Sequence, residues 1–303
     1  MPDEPVEAAA AAQIEARVRF VGHATVLVET DSFRFLTDPF LRARLGPLRR
    51  HGALPDPDAL GDVDAVLISH AHPDHFDRRS LGRVRGRPTL VVPAGLGAAA
   101  TATGLTQRVV ELRVGQSVRV GDASITAVPA RHWRSPRRPA AAALGYLVET
   151  GIATYFAGDT GPFDELARLA GRVDLALLPV WSWGPHLGPG HLDPADAARV
   201  ARTIGPSVVV PIHWGTLYPS GLHRVWSRAL TEPGPRFAAA AARLAPGVDV
   251  RVLQPGQGTT VTLDARDPGR GRQRNSAVAG ERLTRSRLRC NDRGRRPHRG
   301  AQP

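Results

Sequence analysis

The sequence predicts an α/β fold in which strands and helices alternate in blocks. Short apolar runs rich in Val, Ile and Leu, bounded by turn formers, recur from residue 18 to about residue 253. Their length and punctuation read as buried strands rather than helices. Helical stretches fall between them in the order strands, helices, strands, helices, which fits two similar halves. Residues able to ligate a metal follow directly after several of these runs, where loops on a rigid scaffold carry active sites.

Residues 18–21, 25–29 and 33–37 read as a strand meander. His23 lies at the first turn and is expected at the surface, with a place behind a functional site as the alternative. Asp38, after the third strand, either braces such a site or begins a turn. Residues 41–57 carry Arg42, Arg44, Arg49 and Arg50 and are expected to form a mobile loop. Loop arginines can hold a phosphate, but most charge runs are solvated surface. Residues 64–68 form the next buried strand. It runs into Ser69-His70-Ala71-His72-Pro73-Asp74-His75-Phe76-Asp77. Three histidines and a carboxylate lie within six residues there. Neutral imidazole suits zinc, and a carboxylate can complete a site around a second ion. His70 and His72, two apart in an extended segment, point the same way. Pro73 turns the chain, so Asp74 and His75 can face a different centre.

A short helix over 78–81 leads to a strand at 89–93 and a helix at 96–103 closed by Gly104. Strands follow at 108–112, 117–120 and 124–129, the last delivering His132. A hairpin, 143–149 and 152–156, turns at Thr150-Gly151 and ends at Gly158-Asp159-Thr160, where glycine permits the tight turn an inward-facing aspartate needs. A helix at 162–170 and a strand at 173–180 come next. Asp193 reads as an N-cap with Pro194 at the first position of a helix running to about Thr203. His191 precedes that cap, either as a substrate contact or merely as its neighbour. The strand 208–212 presents His213, and a helix at 237–244 and a strand at 248–253 close the domain. No internal repeat at a fixed short period is found.

The H-x-H-x-D-H stretch resembles the signature of the metallo-β-lactamase superfamily. Ala130-Arg131-His132-Trp133, Ala157-Gly158-Asp159-Thr160-Gly161 and Pro211-Ile212-His213-Trp214-Gly215-Thr216 are similar to the later metal motifs of one branch. That branch contains the N-acyl-phosphatidylethanolamine-hydrolysing phospholipase D and, more distantly, the ascorbate-6-phosphate lactonase. The resemblance covers about residues 18 to 256, and it is specific as a set of motifs but not about substrate. It implies a four-layer αββα sandwich. It also implies two divalent ions, with zinc best suited and manganese or iron as alternatives. His70, His72 and His132 would hold one ion, Asp74, His75 and His213 the other, and Asp159 would bridge them. A hydroxide shared by the ions would attack the substrate, with Asp74 orienting it or taking its proton, and His191 would touch substrate. The expected substrate is a small-molecule or lipid-like phosphodiester, with a lactone or another phosphate-bearing ester as the runner-up. The loop after Trp133, at 134–139, is more basic than that branch leads one to expect.

Hydrophobic residues make up 42% of the 303 residues, enough for a sizeable core. All 40 basic residues are arginine, and the net charge is +12. Twelve arginines against four acids lie in residues 264–303, so most of the excess sits in the tail. That tail has no apolar period and is expected to be disordered. Residues 1–16 are expected to be a flexible segment and residues 17–263 the hydrolase domain. An Arg/Gly-rich tail can bind nucleic acid, which defines a reading of another class, a binding protein working through its tail. An intact set of seven ligands argues against a purely binding role. The single cysteine, Cys290, excludes an internal disulfide framework. No stretch has the length of a membrane span or the form of a secretory signal, so the cytoplasm is the expected location.

Overall fold

The computed structural model describes residues 13–106, 108–133 and 141–264. The chain begins with the antiparallel meander β1 (Gln13–Gly22), β2 (Thr25–Glu29) and β3 (Arg34–Thr37). A small hairpin, β4 (Arg44–Leu45) and β5 (Leu48–Arg50), precedes β6 (Ala65–Leu67), helix α1 (Arg78–Leu81), β7 (Thr89–Pro93), helix α2 (Gly97–Thr101) and β8 (Val109–Leu112). A second meander follows: β9 (Ser117–Val120), β10 (Ala123–Pro129), β11 (Leu144–Thr150) and β12 (Ile152–Phe156). Then come β13 (Leu175–Pro179), α3 (Pro194–Ile204), β14 (Val208–Ile212), β15 (Leu217–Pro219), α4 (Arg228–Thr231), α5 (Pro233–Leu244), β16 (Asp249–Val250) and β17 (Gly258–Asp264).

All but β4, β5 and β15 form two seven-stranded sheets, in the orders β17-β1-β2-β3-β6-β7-β8 and β16-β14-β13-β12-β11-β10-β9. Each joins an antiparallel meander to a parallel run, so the two halves share one plan. Strand alternation builds the layers. In the first sheet Val26, Val28, Phe35, Ala65, Leu67 and Val91 belong to the core shared with the second sheet. Their neighbours Leu27, Leu36, Val66, Leu90 and Val92 face the other way, onto Leu81 of α1 and Ala100 of α2. The amphipathic helices α3 and α5 pack together and cover the second sheet. The αββα sandwich follows from burying both faces of both sheets. Among the described residues no helix is long and apolar enough to cross a membrane.

Several expectations need correction. Residues 41–57 are not simply a mobile loop, because β4 and β5 pair with each other and with β15 in a three-stranded sheet. Arg50 is buried there, donating to the carbonyls of Arg42 (3.1 Å), Val21 (3.3 Å) and Phe40. Burial pushes its pKa down to about 10. The helix expected at 162–170 is a 3-10 helix over Asp164–Leu169, a short segment that gains little from α-helical propagation. The last expected strand shrinks to Asp249–Val250, and β17 was not anticipated because only Val261 in it is buried. β17 pairs with β1 from Asp264↔Gln13 to Gly258↔Arg19, so strand pairing extends past the expected limits at residues 17 and 263. The expected flexible segment before Gln13, the basic loop at 134–139 and the Arg-rich tail beyond Asp264 lie outside the described residues.

Candidate metal centre

Strand direction decides where the functional side chains meet. β1, β3 and β6 run the same way in the first sheet, and β10, β12 and β14 do so in the second. His23 follows β1, Asp38 follows β3 and the His70–His75 loop follows β6. His132 follows β10, Asp159 follows β12 and His213 follows β14. The two loop systems touch directly: Leu144 N–H donates to Ser69 O at 2.9 Å and His213 N–H to His23 O at 2.7 Å. Gly158, at φ 59°, sits so close to the first sheet's loop that a Cβ would come within 2.5 Å of Ser69 Cβ.

His70, His72 and His132 form the first group. His72 Nδ1 lies 2.9 Å from His70 Nε2 and 3.0 Å from His132 Nε2. The outer nitrogens of two rings are already engaged. His132 Nδ1 donates to Gly190 O at 2.9 Å, and His70 Nδ1 to Ser69 Oγ at 2.9 Å, since that hydroxyl gives its own proton to Asp38 Oδ2. Lone pairs on His70 Nε2 and His132 Nε2 therefore converge beside His72 Nδ1.

Asp74, His75 and His213 form the second group. His75 Nδ1 donates to Asp38 Oδ2 at 2.6 Å and His213 Nδ1 to Trp181 O at 3.2 Å. Their Nε2 atoms then face each other at 3.1 Å. Asp159 stands between the groups. Its Oδ2 is 3.2 Å from His75 Nε2 and 4.0 Å from both His70 Nε2 and His132 Nε2. Its buried Oδ1 lies 3.2 Å from the His213 Nε2 lone pair and has no hydrogen-bond partner.

His23 is not a surface histidine. It is 0% exposed, with Nε2 on Asp74 Oδ2 at 2.9 Å. Asp38 braces the loop rather than merely starting a turn, because Ser69 N–H also donates to it, at 2.7 Å. Sequence reasoning left both open; their only signal was the family-like context of Gly22-His23 and Asp38-Pro39-Phe40. Among the described residues, the non-glycine residues with positive φ are His23 (58°), Asp38 (31°) and His213 (63°), all at this centre. Such backbone costs roughly 1–2 kcal/mol per residue, which the surrounding hydrogen bonds must offset. His191 also reaches the centre, with Nε2 3.4 Å from Asp159 Oδ2 and Nδ1 donating to Gly188 O at 3.1 Å.

The electrostatics describe a place built for cations. Burial holds His70, His132 and His213 below the usual imidazole range, and pushes His72 down to about 4 against the pull of Asp74. These rings are neutral donors of lone pairs. Burial opposes charge on His75 too, but Asp159, Asp74 and Asp38 outweigh it and raise its pKa well above the ordinary value. Burial likewise disfavours the carboxylates of Asp159 and Asp74, yet their histidine neighbours hold both well below the usual range. The lone pair of His213 Nε2 and the unpartnered Asp159 Oδ1, 3.2 Å apart, repel one another unless a cation lies between them. The residues present thus fit divalent metal: His70, His72 and His132 make one possible set, Asp74, His75 and His213 with His23 another, and Asp159 with His132 and His191 a third.

The beta-lactamase superfamily domain matches residues 33–214. An UPF0173 metal-dependent hydrolase of Deinococcus radiodurans is 32% identical over 254 residues, covering 80% of this chain and 98% of that protein. This chain belongs to that family. An uncharacterized Mycobacterium tuberculosis protein is 35% identical over 258 residues, 79% of this chain and 67% of that protein. The metallo hydrolase Igni18 of Ignicoccus hospitalis superimposes with a TM-score of 0.59 at 22% identity, covering 82% of this chain and 98% of that one. By family, this metallo-β-lactamase-type protein is a metal-dependent hydrolase. His70, His72, Asp74, His75, His132, Asp159 and His213 all fall inside the matched segment.

Proposed function

We propose that this hydrolase works with a two-metal centre, best suited to zinc, on phosphodiester substrates. The observation that carries the reading is Asp159, whose two oxygens are directed between the His70/His72/His132 group and the Asp74/His75/His213 group. Bound to these residues, two divalent ions would supply Lewis acidity at the electrophilic centre and a water acidified for attack. The chain's own residues do the rest. Asp74, which His23 Nε2 meets at 2.9 Å, would orient the attacking water or take its proton. Asp38 and Ser69 fix the rings of His75 and His70. His191, partly exposed beside Asp159, is the group available to pass a proton to the leaving oxygen. Trp133 is 56% exposed and its ring lies 6.3 Å from that of His72, so it offers an apolar wall beside the first group.

The phosphodiester assignment is supported by the resemblance of the Arg131-His132-Trp133 and His213–Thr216 stretches to the phospholipase-like branch. Lactones and other phosphate-bearing esters are the competing substrates. The test combines metal analysis of protein purified without chelators with rates on phosphodiester, phosphomonoester and lactone substrates. About two transition-metal ions per chain and the highest rate on a phosphodiester are expected. A chain that neither contains nor takes up metal would overturn the centre. Faster lactone hydrolysis would replace the substrate and leave the centre standing.

A further inference from the structure

His23 belongs to none of the ligand roles assigned above, yet it touches more of the second group than any ligand does. Its Nε2 lies 2.9 Å from Asp74 Oδ2. Its carbonyl oxygen accepts the His213 N–H at 2.7 Å. Its own N–H donates to Thr216 Oγ1 at 2.7 Å, and its ring rests on that of His213 with centroids 4.0 Å apart. The ring also lies 5.4 Å from that of His75. Every member of the Asp74/His75/His213 group is therefore in contact with this one residue, whereas no hydrogen bond or ring contact of His23 reaches His70, His72 or His132 among the described interactions.

The backbone explains how one residue can do this. At φ 58°, His23 is left-handed, and its hydrogen-bonding partner His213 is left-handed too, at φ 63°. The turn from β1 and the turn from β14 are locked together through the 2.7 Å bond between them. Gly22 completes the turn at φ 128°, where a Cβ would come within 2.7 Å of the buried Arg50 guanidinium and 3.0 Å of Thr216. Of the two ring nitrogens, Nε2 faces a carboxylate oxygen, Asp74 Oδ2, while the buried Nδ1 has no hydrogen-bond partner. The geometry therefore sets Nε2 as the donor to Asp74.

We propose that His23 is a positioning residue that selects the second metal position: its Nε2–H fixes the Asp74 carboxylate while its backbone and ring fix His213. The proposal rests on the two-ion reading above. Partners of this kind, which orient ligands without touching the metal, alter affinity when removed, commonly by about 10–100-fold.

The test is Zn2+ binding by the full chain, measured against a competing chelator, in wild type and three variants. His23→Leu keeps the bulk and removes the donor. His23→Gln keeps an N–H near the Nε2 position on the same left-handed backbone. Thr216→Val removes the acceptor for the His23 N–H while preserving shape. Wild type should bind in two steps. His23→Leu should weaken one step by about 10–100-fold and leave the other unchanged, His23→Gln should restore it substantially, and Thr216→Val should weaken the same step less. Wild type binding a single ion would remove the two-ion reading itself. Two unaltered steps in His23→Leu would overturn the positioning role, as would equal losses in the Leu and Gln variants. If His23→Leu does not fold, Thr216→Val decides: unchanged binding overturns the proposal.

Discussion

Asp159 and His191 stand 3.4 Å apart yet should behave differently when removed. Asp159 faces both candidate groups, so on the two-ion proposal Asp159→Ala is expected to lose both ions and activity together. His213→Ala should mainly weaken the second group, because His213 has no contact with His72 or His132 among the described interactions. His191→Ala should retain its metal while turnover of a generic phosphodiester falls by roughly 10²-fold or more, the usual loss for a group that moves a proton. Metal analysis and turnover on the same preparations separate these outcomes. Wild-type turnover in His191→Ala would reduce that histidine to a neighbour of the α3 cap.

The turns that deliver these residues are as constrained as the residues. Gly158, between β12 and Asp159, needs a positive φ and has Ser69 Cβ and Leu144 O within 3.0 Å of where a Cβ would lie. Gly158→Ala should combine left-handed strain with overpacking between the sheets, a loss of about 2–4 kcal/mol by denaturant unfolding. The start of α3 offers a milder contrast. Asp193 accepts from Asp196 N–H at 2.7 Å, Pro194 occupies the first turn and Gly205 closes the helix at φ 63°. Asp193→Ala should cost about 1 kcal/mol, the ordinary value of an N-cap. A loss as large as that of Gly158→Ala would mean that the cap also supports the nearby His191.

Metal removal and tail removal probe the molecule as a unit. Both sheets contribute residues to the candidate centre, so a metal bound there should tie the halves together. An ion present at about 100 times its dissociation constant adds roughly 2.7 kcal/mol, or about 5–10 °C in Tm for a domain of this size. Chelation followed by thermal unfolding measures this, and an unchanged Tm would argue that no metal resides in the native fold. β17 ends at Asp264, and the tail beyond it concentrates arginine. Truncation from residue 266 should leave small-substrate hydrolysis unchanged and weaken any salt-sensitive association with nucleic acid. A large drop in Tm on truncation would identify the tail as structural.

The strand runs, the histidine loop after β6 and the separate candidate residues His132, Asp159 and His213, which the fold brings together, were legible from the sequence. Each is local: an apolar run of strand length, a turn former, then a polar group with metal-binding chemistry. The α3 cap was legible for the same reason. Long-range contacts decided the rest. β17 carries too few buried residues to announce itself and exists because β1 offers an open edge. β4 and β5 are ordered by β15, more than 160 residues later. His23 and Asp38 sit in turns whose sequence alone is equally compatible with surface positions. Only the closing of the second sheet's loops over the first buries His23 against Asp74 and His213, out of reach of solvent.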